Sequence, residues 1–312
     1  MLSVVIPAFD EGQLIYHSAE VTSSILVDAQ IPFELVFVDD GSRDNTWLEI
    51  ERACAIKGVR GIGFSRNFGK EGAIFAGLEA AKGDVVAVMD CDLQHPPLKL
   101  VEMYHLWEEG YEVIEGVKDD RGEESAFHAW AANLFYKMMG NATGIDMAGA
   151  SDFKMLDRRA VESLLQLPER RTFFRALSAW IGYKTTQVHY EVAERELGES
   201  KWTLCKLMSY AIDNVTSFTA APLQFVTGLG AVLMLIFLVV GIQTLVRWIL
   251  GNAVAGFTTV ILLLLLIGGA IMIALGIIGF YLSRMYDELK GRPRYIVARS
   301  AGMTTNNEAS GE

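Results

Sequence analysis

Two long apolar segments in the C-terminal third of the chain constrain its fold more than any other feature. Residues 225 to 246 carry only Thr227, Gln243 and Thr244 as polar side chains, and residues 257 to 282 carry no charge. As helices, both segments are long enough to cross a hydrocarbon core of roughly 30 Å. The sequence therefore predicts a hairpin of two transmembrane helices, over 222–250 and 257–283.

The charges that flank these segments predict an orientation. The short connector carries Arg247, whereas the segment after the second span carries Arg284, Lys290, Arg292, Arg294 and Arg299. Basic residues are retained on the cytoplasmic side of a membrane. We therefore expect a multi-pass protein of the inner (plasma) membrane with both termini in the cytoplasm. Residues 284–312 are predicted to be a basic cytoplasmic segment followed by a disordered tail.

Charge and cysteine content exclude other classes of protein. The formal net charge is −11, whereas a nucleic-acid-binding protein needs a basic face to neutralise phosphates, so we expect no nucleic-acid partner. The three cysteines, Cys54, Cys91 and Cys205, lie far apart, so neither a zinc site nor a disulfide framework is indicated.

The first 200 residues alternate between two kinds of pattern. Short β-rich runs over 3–6, 34–38, 59–64 and 84–89 end in turn residues, and helical patterns over 12–29 and 44–57 separate them. This alternation predicts an α/β domain over 1–200, with a mostly parallel sheet covered by helices on both faces. Ligands of such sheets bind beyond the carboxyl ends of the strands.

An amphipathic stripe links this domain to the first apolar segment. Its apolar residues recur at helical spacing: Leu204, Leu207, Met208, Ala211, Ile212, Val215 and Phe218. Because the next residues must already lie at bilayer depth, the pattern predicts an interfacial helix over 201–221.

Asp90 and Asp92 follow the fourth β-rich run. On a continuing strand the two carboxylates share a face, where their repulsion is relieved by a divalent cation. Oxygen ligands suit Mg²⁺ or Mn²⁺, which keep positions free for substrate phosphates. On a loop, the same Asp-x-Asp pattern is more often a solvated turn, and both interpretations remain open from this pair alone.

Polar motifs follow all four β-rich runs, and two more motifs follow later in the chain. In order they are Pro7-Ala8-Phe9-Asp10-Glu11, Asp39-Asp40-Gly41-Ser42, Ser65-Arg66-Asn67-Phe68-Gly69-Lys70, Asp90-x-Asp92-Leu93-Gln94, Asp152 to Arg158, and Arg195-x-x-Gly198-Glu199-Ser200-Lys201-Trp202. Together they resemble the family 2 glycosyltransferases with the GT-A fold. With two spans following, they resemble the polyprenyl-phosphate type, which includes dolichol-phosphate mannose synthases and bactoprenol glucosyltransferases.

The resemblance implies a donor site and a metal. The residues that the resemblance assigns to nucleotide-sugar binding are Pro7, Asp10, Glu11, Asp39, Asp40, Arg66, Lys70 and Asp90. Within this set, Asp39 and Asp40 would accept hydrogen bonds from the base and ribose, and Arg66 and Lys70 would meet the diphosphate. Metal binding, with Mg²⁺ or Mn²⁺ as cofactor, falls to Asp90, Asp92 and Gln94.

The resemblance also implies an acceptor site. Asp152 matches the position of the catalytic base and, with Asp92, forms the predicted catalytic pair. A lipid monophosphate has a second pKa of about 6 and is already nucleophilic at neutral pH, so Asp152 is expected to act by orientation and electrostatics. The residues expected to hold the acceptor phosphate are Arg195, Lys201, Lys118 and Arg121. Lys118 departs from the arginine that is usual in relatives and lacks its bidentate fork.

The implied function is inverting transfer of a single sugar, glucose or N-acetylglucosamine favoured, from a donor that is expected to be UDP-linked. The acceptor is polyprenyl (undecaprenyl) phosphate on the cytoplasmic leaflet, and the resemblance suggests a homo-oligomer, a tetramer. Two alternatives remain: a processive polysaccharide synthase, which would need more spans, and a non-catalytic membrane scaffold or flippase partner that keeps the fold.

Overall fold

The computed structural model describes residues 1–119, 151–169, 173–191, 221–250 and 256–302. The chain divides into two compact units. The first comprises Met1–Trp202 and Pro293–Glu312, and the second comprises Thr203–Arg292.

The first unit alternates strands and helices, as the sequence predicts. Its described elements are β1 (Leu2–Ala8), α1 (Gly12–Asp28), β2 (Phe33–Asp39), α2 (Thr46–Ala53), β3 (Val59–Phe64), α3 (Lys70–Ala80), β4 (Val85–Val88), α4 (Leu98–Glu108), β5 (Val113–Lys118), β6 (Lys154–Asp157), α5 (Arg158–Gln166), α6 (Phe174–Trp180), β7 (Thr185–Tyr190) and β8 (Val297–Ala301). Each of the predicted β-rich runs forms a strand. The second predicted helix is shorter than expected and covers only Thr46–Ala53.

The strands form one sheet in the order β7-β5-β6-β4-β1-β2-β3-β8. Strands β1 to β4 are parallel to their neighbours within this group, so their carboxyl ends meet at one edge. β6 runs antiparallel between β4 and β5, and β8 runs antiparallel to β3. The sheet is therefore mixed, with its parallel half ending where the polar motifs lie.

Helices cover both faces of the sheet. Leu2, Val4 and Ile6 of β1 are buried in the core that α1, α2 and α4 share. On the opposite face, Val36 and Val38 of β2 pack against α3. Burial of each such side chain stabilises the folded state by about 1.5–3 kcal/mol. Because a register shift of one residue would expose these side chains, burial fixes which residues of a strand point to which face.

The chain that follows the second apolar helix returns to the sheet. Sequence analysis assigned no regular structure to this basic segment, yet β8 pairs with β3 along the sheet edge. Arg294 donates hydrogen bonds to the carbonyls of Leu167 and Glu169. Tyr295 stacks on Phe64 with the ring centroids 5.0 Å apart. The chain from Pro293 onward is thus part of the first unit.

The second unit contains two long helices, α7 (Ala221–Ile249) and α8 (Phe257–Leu289). By length and composition, Leu223–Arg247 and Leu266–Leu289 could each cross a membrane, with mean hydropathies of 2.7 and 2.1. Many of their large apolar side chains are exposed. Exposed apolar surface of this extent is unfavourable in water and is typical of a surface that contacts lipid or protein. α8 continues beyond residue 283, where the predicted span ends. The predicted interfacial helix lies outside the described residues, apart from Ala221.

Candidate active site

A cavity of about 310 Å³ opens at the carboxyl ends of β1, β2 and β4. It is lined by Pro7, Ala8, Phe9, Glu11, Asp40, Asn67, Gly69, Lys70, Ala73, Asp90, Cys91 and Asp92. Residues from all four predicted strand-end motifs therefore meet in one place. Six lining residues were not predicted as site residues: Ala8, Phe9, Asn67, Gly69, Ala73 and Cys91.

Asp10 holds two loops of the cavity wall together. Its backbone is in the left-handed region, with φ of 54°. Its N–H donates to Ser42 Oγ at 2.9 Å, and its carboxylate accepts the N–H of Arg43 at 2.8 Å. The next residue, Glu11, donates its N–H to Thr46 Oγ1 at 2.9 Å. The loop after β1 is thus fixed to the loop after β2.

Asp39 and Asp40 face different partners. Asp39 is fully buried, and its oxygens accept hydrogen bonds from the Ser42 N–H at 2.9 Å and from Arg299 Nη2 at 3.0 Å. Asp40 lines the cavity and accepts the N–H groups of Phe68 and Gly69, at 2.6 and 2.9 Å. Burial raises the pKa of Asp40. Both carboxylates therefore order the protein around the cavity.

The loops after β2 and β3 touch at Gly41. Its φ of 70° is left-handed, and an added Cβ would lie 2.4 Å from the carbonyl carbon of Arg66, so only glycine fits. The guanidinium of Arg66 lies 4.1 Å from the Phe68 ring centroid and donates to the Asn67 carbonyl at 3.0 Å. Arg66 thus packs on its own loop and is not among the cavity-lining residues.

Lys70 joins the two predicted catalytic regions. Its Nζ lies 2.6 Å from Asp90 Oδ1 and 2.8 Å from Asp152 Oδ2. Partial burial acts to lower the pKa of Lys70, but the two carboxylates outweigh it and the pKa is raised. Lys70 is therefore a fixed positive charge between the strand-end carboxylate and Asp152.

Asp152 is buried and held by a second cation. Arg175 donates from Nε to Oδ1 at 2.6 Å and from Nη2 to Oδ2 at 3.0 Å. Burial alone would raise the pKa of Asp152, but Lys70 and Arg175 hold it well below its ordinary value. A carboxylate that holds its proton so weakly is a poor base, and its orientation is fixed.

Glu71 follows Lys70 in the chain, and near neutral pH both its protonated and its ionised form are populated. Its Oε2 accepts the Phe174 N–H at 2.9 Å. Burial, together with the negative charge of Asp152, raises the pKa of Glu71 to about 7. Glu71 therefore links α3 to the start of α6, the helix that carries Arg175.

Lys154 holds α6 through a hydrogen bond to Ser178. Its side chain is fully buried, and Nζ donates to Ser178 Oγ at 2.8 Å and to the carboxylate of Glu115. Burial lowers the pKa of Lys154, while Glu115 opposes this shift. The buried pair holds the helix from which Arg175 reaches Asp152.

His95 is buried and supports the Asp90–Asp92 segment. Its Nδ1 accepts the backbone N–H of Asp90 at 3.2 Å, and its ring stacks on Phe153 with the centroids 4.8 Å apart. Burial lowers the pKa of His95, which favours the neutral ring. The turn that presents the two carboxylates is thereby fixed.

β4 ends at Val88, so Asp90 and Asp92 lie in a turn and not on a continuing strand. Their donor set fits a divalent ion bound together with substrate oxygens. Both carboxylates line the cavity, and Asp92 Oδ1 accepts the Gln94 N–H at 3.1 Å. No cluster of three or more His, Cys, Asp or Glu residues suited to a metal occurs in the described parts of the chain. Mg²⁺ and Mn²⁺ typically use one or two carboxylates, with phosphate oxygens and water completing the shell.

The predicted acceptor residues are described only in part. Lys118 is exposed at the end of β5, opposite Tyr190 of β7. Its neighbour Asp119 pairs with His189 at 3.0 Å. Arg121, Arg195 and Lys201 lie outside the described residues.

Sequence analysis missed Arg175, Glu71 and Lys154. The available signal was a charge next to apolar residues: Arg175 follows Phe173 and Phe174, and Lys154 is the first residue of the buried strand β6. Such a residue is rarely buried without a partner, but the sequence does not identify that partner.

Comparison with known proteins supports the motif resemblance. The family model described as Glycosyl transferase family 2 matches residues 3–165. An uncharacterized glycosyltransferase of Synechocystis sp. is 36% identical over 305 residues, which cover 97% of this chain and 96% of the relative. The bactoprenol glucosyl transferase of Shigella phage SfII is 33% identical over 303 residues, covering 96% of this chain and 98% of the relative.

Solved structures include a glucosyl-3-phosphoglycerate synthase from Mycobacterium tuberculosis. It matches with a TM-score of 0.45 and 25% identity, covering 68% of this chain and 76% of that chain. The predicted fold class, a GT-A type α/β sheet with helices on both faces and two apolar C-terminal helices, is confirmed.

Proposed function

Because the chain belongs to glycosyl transferase family 2, we propose that it moves a single sugar, with inversion, from a nucleotide diphosphate donor to a polyprenyl phosphate. The observation that carries this proposal is the position of Lys70, which joins Asp90 at the cavity to Asp152. Such a site combines charge for a diphosphate with an oriented carboxylate beside the reacting carbon. The bactoprenol glucosyl transferases among the relatives favour the lipid acceptor.

The donor occupies the cavity at the strand ends. Lys70 meets the diphosphate, while Pro7, Glu11 and Asp40 form the wall against which the nucleoside lies. Asp10, Asp39 and Arg66 belong to the donor site through the loops that they hold. We favour a UDP-linked donor carrying glucose or N-acetylglucosamine. The bactoprenol relative, whose name describes a glucosyl transferase, supports glucose.

Asp90, Asp92 and Gln94 would hold Mg²⁺ or Mn²⁺ against the diphosphate. When bound, the ion supplies Lewis-acid neutralisation of the departing nucleoside diphosphate. The chain contributes the geometry: His95 fixes the Asp90 backbone, and the Gln94 N–H fixes Asp92.

Asp152 acts on the acceptor side by position and charge. The acceptor phosphate has a second pKa of about 6, so at neutral pH its oxygen attacks without a base. Arg175 and Lys70 hold Asp152 ionised and oriented. Attack from the face opposite the leaving diphosphate inverts the anomeric configuration, so an α-linked donor gives a β-linked product.

The acceptor is presented from the membrane. We assign Lys118, Arg121, Arg195 and Lys201 to its phosphate, residues 201–221 to an interfacial helix, and α7 and α8 to a transmembrane hairpin. Both termini then lie in the cytoplasm, with residues 1–200 as the catalytic domain on the inner leaflet. We also propose a homo-oligomer, a tetramer, as the working state.

The test is transfer in membranes that contain the full-length protein. Labelled UDP-glucose, UDP-N-acetylglucosamine and GDP-mannose are incubated with undecaprenyl phosphate, and the lipid fraction is extracted. We expect one sugar per lipid from one of the UDP donors. Polymeric product would instead support a processive synthase, and the absence of transfer and of donor hydrolysis would support a non-catalytic scaffold.

A further inference from the structure

The strand that follows the second apolar helix contributes a side chain next to the cavity wall. In the β3–β8 ladder, Arg299 lies opposite Gly63. A Cβ on Gly63 would lie 2.7 Å from Arg299 Cγ and 2.9 Å from the Trp47 ring. The absence of a side chain at residue 63 therefore makes the space in which Arg299 lies.

Arg299 is held by two partners in that space. Its guanidinium carbon lies 4.5 Å from the Trp47 ring centroid, and Nη2 lies 3.0 Å from Asp39 Oδ2. Asp39 is fully buried, whereas 44% of the Arg299 side chain is exposed. A buried carboxylate that loses its cation must take up a proton or move.

Hydrogen bonds connect Asp39 to the cavity. Its other oxygen accepts the Ser42 N–H at 2.9 Å, and Ser42 Oγ accepts the N–H of Asp10 at 2.9 Å. Asp10 lies between Phe9 and Glu11, which both line the cavity, and Asp40 lines it directly after Asp39. The charge of Asp39 thus orders two loops that form the wall.

We propose that Arg299 is a positioning residue of the donor site. It neutralises Asp39 and thereby fixes the loops after β1 and β2 in the conformation that receives the nucleotide. A residue that follows both apolar helices in the sequence thus helps to order the nucleotide pocket. The inference rests on the proposed use of this cavity for a nucleotide diphosphate, and it assigns Arg299 no contact with the sugar or the acceptor.

The experiment compares full-length variants in detergent by titration with UDP and with GDP, each with Mn²⁺. Arg299→Met removes the charge and keeps most of the length of the side chain, and Arg299→Lys restores a cation. Asp39→Asn combined with Arg299→Met removes the uncompensated charge. Arg292→Met is the matched control, because Arg292 is exposed in the same basic segment.

We expect Arg299→Met to weaken binding of the preferred nucleotide about tenfold or more and to raise the donor KM similarly. The acceptor KM should change less than twofold. Arg299→Lys should recover most of the affinity, and the double variant should bind better than Arg299→Met because the buried charge is gone. Thermal melting of each variant separates this pattern from general destabilisation, which would not act on donor KM alone.

Equal nucleotide affinity in Arg299→Met and Arg292→Met would overturn the role of Arg299. A double variant that binds more weakly than Arg299→Met would also overturn it, because Asp39 would then contact the nucleotide itself. A wild type that binds UDP but makes no lipid-linked sugar refutes the proposed acceptor and leaves the Arg299 comparison valid. A wild type that binds neither nucleotide refutes the donor site and this role together.

Discussion

Arg175 and Asp152 form a two-point ion pair, with Nε 2.6 Å from Oδ1 and Nη2 3.0 Å from Oδ2. This fork fixes the plane of the carboxylate as well as its charge. Lysine supplies the charge without the fork. Asp152 is therefore held in one orientation by Arg175 and in one charge state by both Arg175 and Lys70.

Arg175→Lys should lower kcat by roughly 10–100-fold, the range typical of residues that orient a ligand or catalytic group. The donor KM should change little, because Arg175 does not line the donor cavity. Steady-state transfer to undecaprenyl phosphate measures both constants. Arg52→Lys, on an exposed arginine of α2, is the control. A kcat for Arg175→Lys within twofold of this control would contradict the orienting role.

The pH dependence of transfer should follow the acceptor and not Asp152. The pKa of Asp152 is held far below neutrality, so this carboxylate stays ionised from pH 8 to pH 5. Activity should fall on the acid side with a midpoint near 6, where the lipid phosphate takes up its second proton. Asp152→Asn should lower kcat without moving that midpoint.

Glu71 titrates in the same range and needs its own control. Glu71→Gln should leave the acid midpoint of transfer unchanged. A midpoint that moves in Asp152→Asn would identify Asp152 as the titrating base, and one that moves in Glu71→Gln would assign it to Glu71.

Glu71 should make the fold less stable as pH rises. Its pKa is about 7 in the folded protein against an ordinary 4.5, so between these values the folded state binds more protons than the unfolded state. Stability therefore falls as pH increases through this window. Glu71→Gln removes the cost of ionisation and should stabilise the protein at pH 8 by roughly 1–3 kcal/mol.

Thermal melting of the full-length protein in detergent at pH 5 and pH 8 tests this expectation. The melting temperature of the wild type should drop more between the two pH values than that of Glu71→Gln. Glu20→Gln, on the exposed side of α1, serves as the matched control. If the melting temperatures of Glu71→Gln and the wild type drop equally, ionisation of Glu71 does not destabilise the fold.

The sequence predicted those parts of the site that depend on short-range patterns of residues. Six predicted site residues lie at or after the end of a parallel strand, and such ends meet at one edge of the sheet. They are Pro7, Glu11, Asp40, Lys70, Asp90 and Asp92. The four N-terminal strands were placed for the same reason, because alternation of β-rich runs and helices is a short-range signal.

The contacts between distant residues could not be predicted in this way. Asp39 and Arg299 are 260 positions apart, and their pairing depends on a strand that joins the sheet edge after two long helices. Asp152 and Arg175 meet because α6 packs where the buried Lys154 holds it. Only the packed structure reveals which cation faces which carboxylate.

The most direct test of the account is the metal dependence of sugar transfer, measured with Asp92→Asn beside the wild type. Asp28→Asn, on an exposed residue at the end of α1, is the control, and membrane fractionation checks that all three proteins insert equally. The wild type should lose lipid-linked product in EDTA and regain it with Mn²⁺ or Mg²⁺, and Asp92→Asn should form none under either condition. Undiminished transfer by the wild type in EDTA, or near-normal transfer by Asp92→Asn, would contradict a donor diphosphate bound through a cation at Asp90 and Asp92.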